Sequence, residues 1–127
     1  MTMMTDETKN KIAKDPNGLV TYEYIANNID NIEPDIDLLV DNMIRADRNG
    51  QFVVSTARYL HAIDKDKFAA SIDRLIKAAI DKDRERVYLA DLAYTIWGPD
   101  YKQNANALAA SDDNFRRIYK RLYPVGI

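Results

Sequence analysis

The sequence predicts an all-α fold, and three observations carry that prediction. Apolar residues recur at steps of three or four along most of the chain, which is the period of an amphipathic helix. The four Gly and four Pro fall outside these periodic stretches, as turns between helices require. The best β-like run, Phe52 to Val54, is only three residues long. We therefore expect a single all-helical domain over residues 1–127, built from six or seven short antiparallel helices.

Seven stretches carry the helical period, and turn residues separate them. The first follows Gly18, and the second follows Pro34, a residue that favours the first turn of a helix. The last is ended by Pro124 and Gly126. Segment 1–17 precedes all of them, and the sequence leaves open whether it is flexible. In chain order, the predicted helices cover 19–29, 36–44, 52–63, 66–81, 88–97, 102–110 and 115–123.

The chain contains an internal repeat with a period of about 36 residues. Residues 36–64 match residues 72–100 at eight of 29 positions, and Asp47 aligns with Asp83. Such a period is typical of stacked helix–turn–helix units, in which each unit buries the apolar face of its neighbour. An irregular helical bundle would show the same apolar stripes. The sequence therefore leaves a superhelical stack and a bundle as alternatives.

The composition excludes most enzyme chemistry. The chain has no Cys, which removes thiol nucleophiles, disulfides and Cys-ligated metal sites. His61 is the single His, so a site with several histidine ligands is excluded as well. A Gly-x-Ser-x-Gly turn, which would support a serine nucleophile, does not occur in the sequence. We expect a protein that is not an enzyme, with no catalytic residues, no metal and no cofactor.

The N-terminal sequence predicts the cellular location. It lacks the basic and then apolar profile of a signal peptide. No apolar run approaches the length of a membrane-spanning helix. We therefore expect a cytoplasmic protein without a membrane span.

Two turns carry an Asp-x-Asn-Gly pattern that resembles the middle of an EF-hand calcium loop. The pattern begins at Asp15 and at Asp47, and Asp83 lies at the equivalent place in the later repeat. The bidentate glutamate that calcium needs at the twelfth loop position is replaced by Tyr24 and Thr56 in the first two loops. Asp-x-Asn-Gly is also an ordinary turn between helices. A degenerate EF-hand-like cation-binding protein is thus one alternative, and a plain turn is the other.

The charge of the chain is unevenly distributed. The net charge is −2, but residues 1–47 carry 4 basic and 10 acidic groups, whereas residues 48–127 carry 14 basic and 10 acidic groups. An acidic surface can steer the association of a basic partner. The alternative is that the acidic groups merely favour the positive end of the helix that Pro34 opens. The predicted acidic partner-binding residues are Glu33, Asp35, Asp37 and Asp41.

Aromatic residues form a second candidate surface for a protein partner. Tyr and Trp anchor interfaces because they bury a large area and keep a polar group. Trp97 ends a predicted helix and precedes the least regular segment of the chain. Tyr94, Trp97 and Tyr101 are therefore predicted to form an exposed aromatic patch.

The last predicted helix is basic on one face. Arg116, Arg117, Lys120 and Arg121 lie between apolar residues at helical spacing. Such a face can bind a nucleic-acid backbone or an anionic headgroup. The alternatives are a solvated polar face or pairing with the acidic N-terminal part of the same chain.

These patterns together predict a small intracellular interaction module without catalytic activity, such as an adaptor, an inhibitor or an immunity-type protein. Its expected partner is another protein, whose identity and stoichiometry the sequence does not reveal. The alternative function is that of a nucleic-acid-associated regulator that uses the basic C-terminal helix.

Overall fold

The computed structural model describes residues 4–124, which form eight α-helices and two short 3-10 helices. No strand is present in this range, so the predicted all-α single domain is confirmed. The 3-10 helices, Ile29–Asn31 and Glu33–Asp35, lie between the second and third α-helices. In chain order the α-helices are α1 (Asp6–Ala13), α2 (Leu19–Asn27), α3 (Ile36–Ala46), α4 (Gln51–Asp64), α5 (Ala69–Lys82), α6 (Leu89–Trp97), α7 (Ala105–Ser111) and α8 (Asp113–Leu122).

Each predicted helical stretch overlaps an observed α-helix, and in all of them except α7 apolar residues are buried in the core. In α5 the stripe consists of Ile72, Leu75, Ile76 and Ala79, all of which are buried. Removing a large apolar side chain from water contributes about 1.5–3 kcal/mol. Burial of successive stripes is therefore what holds these short helices together.

Helix α1 lies in the N-terminal segment 1–17, outside the seven predicted helices. Ile12 is its one large apolar residue and is buried, so α1 has no apolar stripe that a periodicity search could find. The Thr5 hydroxyl begins the helix by accepting a hydrogen bond from the Thr8 N–H at 3.1 Å. Residues 1–3 lie outside the described part of the chain.

The helices pack in succession along the chain. Helix α2 contacts α4, α4 contacts α6, and α6 contacts α8, while α3 contacts α5. The core between these helices contains fully buried leucines and a methionine: Leu39, Met43, Leu60, Leu75 and Leu92. The 36-residue repeat and the choice between superhelical stack and bundle stay predictions. No helix in residues 4–124 has both the length and the apolar character that crossing a bilayer requires.

Three of the turns between helices share a buried aspartate, and we call them the aspartate turns. Asp15 lies between α1 and α2, Asp47 between α3 and α4, and Asp83 between α5 and α6. Each aspartate is only 1% or 2% exposed. One carboxylate oxygen accepts a hydrogen bond from the N–H six residues later, at 2.8, 2.9 and 2.9 Å respectively. Because the first N–H groups of a helix have no partner within the helix, each aspartate caps the helix that follows it.

The aspartate turns lie against one another. Gly18 and Gly50 stand three residues after their aspartates, with φ of 103° and 94°. A Cβ on Gly18 would lie 3.4 Å from the Cβ of Asp47, and a Cβ on Gly50 would lie 3.0 Å from the Cβ of Asp83. Glycine is therefore needed at both positions, for its backbone conformation and for the close approach of the next turn. The three aspartate turns thus form a row, in which the turn at Asp83 is the last.

Candidate anion-binding groove

A concave basic surface lies between α8 and the turn that joins α5 to α6. Its volume is about 510 Å³. Five of its seven lining residues are cationic, the other two are apolar, and no described carboxylate lines it. We call it the basic groove. Its lining residues are Ile80, Arg84, Arg86, Arg117, Lys120, Arg121 and Pro124.

Aromatic packing holds α8 at one wall of the groove. Phe115 is fully buried and is contacted edge-on by Trp97, with ring centroids 5.2 Å apart. Tyr101 contacts the same ring at 6.2 Å, and Tyr119 stacks on it at 5.5 Å. Such aromatic pairs contribute about 0.5–1.5 kcal/mol each beyond the area that they bury. The apolar face of α8 is thereby fixed, which leaves its basic face toward the groove.

Polar contacts tie α8 to α5 as well. The Asn114 side-chain amide donates to the Asp73 carboxylate at 2.8 Å, and the Arg121 guanidinium donates to the Ile80 carbonyl at 2.9 Å. The hydrogen bond from Lys77 is the main cause that lowers the pKa of Asp73; partial burial opposes it, and the bond from Asn114 adds to the lowering. Asp73 therefore stays ionised as an acceptor, and Arg121 is held at the wall of the groove.

The opposite wall is the aspartate turn at Asp83. Its carboxylate accepts hydrogen bonds from the N–H groups of Val87, Tyr88 and Leu89 at 2.9, 2.7 and 2.9 Å. Arg86 follows Asp83 by three residues, the place that glycine occupies in the other two aspartate turns. Its φ is 61°, the left-handed region, where a non-glycine residue costs about 1–3 kcal/mol. The turn thus holds an exposed arginine in a strained backbone conformation.

The groove cations form few ion pairs, although Arg84 and Arg121 donate hydrogen bonds to the carbonyls of Asp81 and Ile80. Arg117 lies 3.7 Å from Asp81, and within residues 4–124 Arg84, Arg86 and Lys120 form no ion pair. Elsewhere on the surface some cations are paired at short range and others are not; one pair is the contact of 2.8 Å between Lys67 and Glu33. A second such contact joins Lys77 to Asp73 at 2.7 Å, and a third joins Arg74 to Asp41. The groove therefore concentrates positive charge that the protein itself does not neutralise.

Three of the four basic residues predicted from the sequence line the groove. These are Arg117, Lys120 and Arg121, whereas Arg116 pairs with Asp113 at 2.5 Å and does not line it. The sequence did not identify Arg84 and Arg86, because they are distant from α8 along the chain. The only local signal was the basic character of the turn itself.

The predicted acidic residues do not form one exposed surface. Glu33 is engaged by Lys67 and Asp41 by Arg74, while Asp37 is exposed. Asp35 does not fit the predicted exposed acidic surface, since it is only 3% exposed. It ends a 3-10 helix and turns inward toward Tyr24, whose pKa is raised by burial and further by the charge of Asp35. Whether the acidic residues bind a partner stays a prediction.

The predicted aromatic residues also separate in the structure. Tyr94 is 57% exposed, as predicted, but Trp97 is partly buried and donates from Nε1 to the Asp112 carboxylate at 3.0 Å. Tyr101 does not fit the predicted exposed aromatic patch, since it is only 7% exposed. Its hydroxyl lies 3.0 Å from that of Tyr123. Burial, together with this contact, raises the pKa of Tyr101 to about 12. Trp97 and Tyr101 support α8 instead of forming a patch with Tyr94.

The aspartates that resemble EF-hand ligands are engaged by the backbone. In the turn at Asp15, burial by itself raises the pKa of the carboxyl, but hydrogen bonds from Thr21, Asn17 and Gly18 outweigh it, so the pKa is lowered. Within residues 4–124, no three His, Asp or Glu side chains lie together as a group that could hold a metal ion. The Asp-x-Asn-Gly pattern marks helix-capping turns in this fold.

No family model matches the chain, and neither the curated proteins nor the solved structures include a significant match to it.

Proposed function

We propose that this protein is a binding module without catalytic activity, and that its partner is an anionic macromolecule held in the basic groove. One observation carries the proposal. Five cations from two distant parts of the chain converge on one concave surface, and no carboxylate of residues 4–124 lines it. This arrangement favours an anionic partner over the basic partner expected from the acidic residues.

Electrostatics explains why such a groove attracts an anion. Two unit charges 4 Å apart interact by about 1 kcal/mol in bulk water and by about 4 kcal/mol near a protein surface. Like charges gathered in a groove repel one another, and a bound anion relieves that repulsion. The attraction reaches over a Debye length of about 10 Å at 0.1 M salt, so it also accelerates encounter.

The chemistry of the lining supports binding rather than catalysis. Guanidinium and ammonium groups donate hydrogen bonds and carry charge, but they supply no general base at neutral pH. The remaining lining groups, Ile80 and Pro124, are aliphatic. The cytoplasmic location and a protein as the partner stay predictions.

Chromatography on immobilised heparin tests the proposal with a polyanion of known chemistry. We expect the wild-type protein to be retained at low salt. The double variant Arg117→Glu, Lys120→Glu should elute at a clearly lower salt concentration, because it reverses two of the five groove charges.

A matched control separates the groove from bulk charge. Lys11→Glu with Lys65→Glu makes the same change in net charge at two exposed positions that do not line the groove. This variant should elute close to the wild type, and circular dichroism should show both double variants folded. Equal shifts in the two variants would contradict the proposal.

A further inference from the structure

We propose that the partner in the basic groove is a nucleic-acid duplex, held through its phosphate backbone without reading of the bases. This inference rests on the proposed function and specifies its partner. The sequence favoured a protein as the partner and nucleic acid as the alternative, and this inference places nucleic acid first.

The composition of the groove is the first argument. The centre of a protein–protein interface is depleted of charged residues other than arginine and enriched in aromatic residues. Protein–DNA interfaces are much more positively charged than protein–protein interfaces. Five of the seven groove residues are cationic, and Ile80, one of the two apolar residues, is only 1% exposed. The groove thus offers charge to a partner and almost no apolar anchor.

The kind of cation is the second argument. Four of the five cations are arginines, whose planar guanidinium donates two parallel hydrogen bonds to a phosphate. In the described part of the chain, no aromatic side chain lines the groove to stack on unpaired bases, and no Asn or Gln lines it to read adenine. Stacking is what single-stranded nucleic acids need, whereas the backbone of a duplex needs only positioned charge. A duplex bound independently of sequence is the partner that this lining fits.

The backbone conformation of Arg86 is the third argument, and it does not depend on the composition of the groove. Gly18 and Gly50 occupy the same place in the other two aspartate turns, and their left-handed conformation is natural for glycine. Arg86 adopts this conformation at a cost in strain, and its exposed side chain lines the groove. Residues held in strained conformations concentrate at functional sites. A residue that serves binding there should be replaceable by glycine without loss of stability, but with loss of binding.

The test measures fluorescence anisotropy of a labelled DNA duplex of two helical turns over a series of salt concentrations. Contacts with three to five phosphates predict a slope of log K against log salt between about −2.7 and −4.5. Lys120→Gln should reduce the magnitude of that slope by about 1, because it removes one phosphate contact. Lys11→Gln, outside the groove, should leave the slope unchanged.

Arg86→Gly provides the readout that a structural role would not produce. We expect the duplex to bind severalfold more weakly, while the thermal unfolding midpoint stays at or above that of the wild type. A lower midpoint together with unchanged duplex binding would make Arg86 a structural residue and overturn this argument.

Competition identifies the class of partner. A single strand of the same sequence and polyglutamate of equal total charge should both displace the duplex poorly. Displacement by polyglutamate as effective as by unlabelled duplex would overturn the duplex in favour of an acidic protein. Groove-dependent binding to phosphatidylserine vesicles without duplex binding would overturn it in favour of a membrane surface. In both cases groove-dependent retention on heparin would persist, so the proposed function would stand; loss of that dependence would remove both proposals.

Discussion

The first two aspartate turns and the third share a buried capping aspartate, but they differ in where the next helix begins and in their surroundings: Gly18 and Gly50 directly precede α2 and α4, whereas α6 begins after Tyr88. In all three, a buried aspartate accepts from the N–H six residues later. Gly18 and Gly50 are buried in the first two turns, and each lies against the next turn of the row. In the third turn the same place holds Arg86, which is exposed and faces the basic groove.

The difference shows how one local structure serves two purposes. Within the row, glycine permits close packing, so the first two turns contribute to stability. At the end of the row no further aspartate turn covers the place after Asp83, and a side chain has room there. The third turn therefore carries a charge into the groove, at the cost of an unfavourable φ of 61°.

Removal of a turn aspartate should have the strongest effect on stability. In Asp47→Ala, four N–H groups lose the carboxylate that accepts from them, those of Asn49, Gly50, Phe52 and Val53. A hydrogen bond to a charged group contributes about 1.5–3 kcal/mol, and buried donors left without an acceptor are costly. We expect the free energy of unfolding in urea to fall by about 2–4 kcal/mol. Asp37→Ala, at an exposed position, should change it by less than about 0.5 kcal/mol; equal effects would show that the turn is not anchored by its aspartate.

A methyl group inside the row should have the next strongest effect. Gly50→Ala places a Cβ 3.0 Å from the Cβ of Asp83 and also strains the backbone at φ 94°. Backbone strain of a non-glycine residue in the left-handed region costs at least about 1 kcal/mol without any close contact. Because the close contact adds to this strain, we expect Gly50→Ala to lose about 2–3 kcal/mol in thermal unfolding. A loss of no more than about 1 kcal/mol would contradict close packing between the turns at Asp47 and Asp83.

Acid should weaken the turn at Asp15. Because folding lowers the pKa of this carboxyl, the unfolded chain binds the proton more readily. The stabilisation is present at neutral pH and is lost as pH falls below the usual value of 3.8 through the lowered pKa of the folded state. Asp15→Asn should cost about 1–2 kcal/mol at pH 7, and its urea midpoint should approach that of the wild type at low pH. Asp100→Asn, at an exposed site, is the control; a gap between wild type and Asp15→Asn that does not narrow in acid would contradict this account.

The helices were predictable because apolar periodicity is a local property of the sequence. Helix α1 was not, since Ile12 alone provides its apolar contact. The spacing of Asp-x-Asn-Gly could not decide between a cation and a backbone cap, because both need oxygens at the same places. In the structure, backbone N–H groups donate to both carboxylate oxygens of Asp47, which is the arrangement of a backbone cap.

The candidate site was predictable only in part. The basic face of α8 is visible in sequence, but its convergence with Arg84 and Arg86 depends on tertiary packing around Phe115. The burial of Asp35 and Tyr101 likewise depends on neighbours that are distant in sequence. The pairing of Arg116 with Asp113 is local, because the two residues are three positions apart on α8, so the sequence did carry a signal that separates Arg116 from the groove residues.

The most direct test of the basic groove is an NMR titration of the labelled protein with a heparin hexasaccharide. The account predicts that the largest shifts occur at the backbone amides of residues 84–86 and 117–121. The amides of Thr21 and Val53, which the buried aspartates hold, should not move. Shifts spread evenly over all exposed lysines and arginines, including the paired Arg74 and Lys77, would contradict the groove as the binding site.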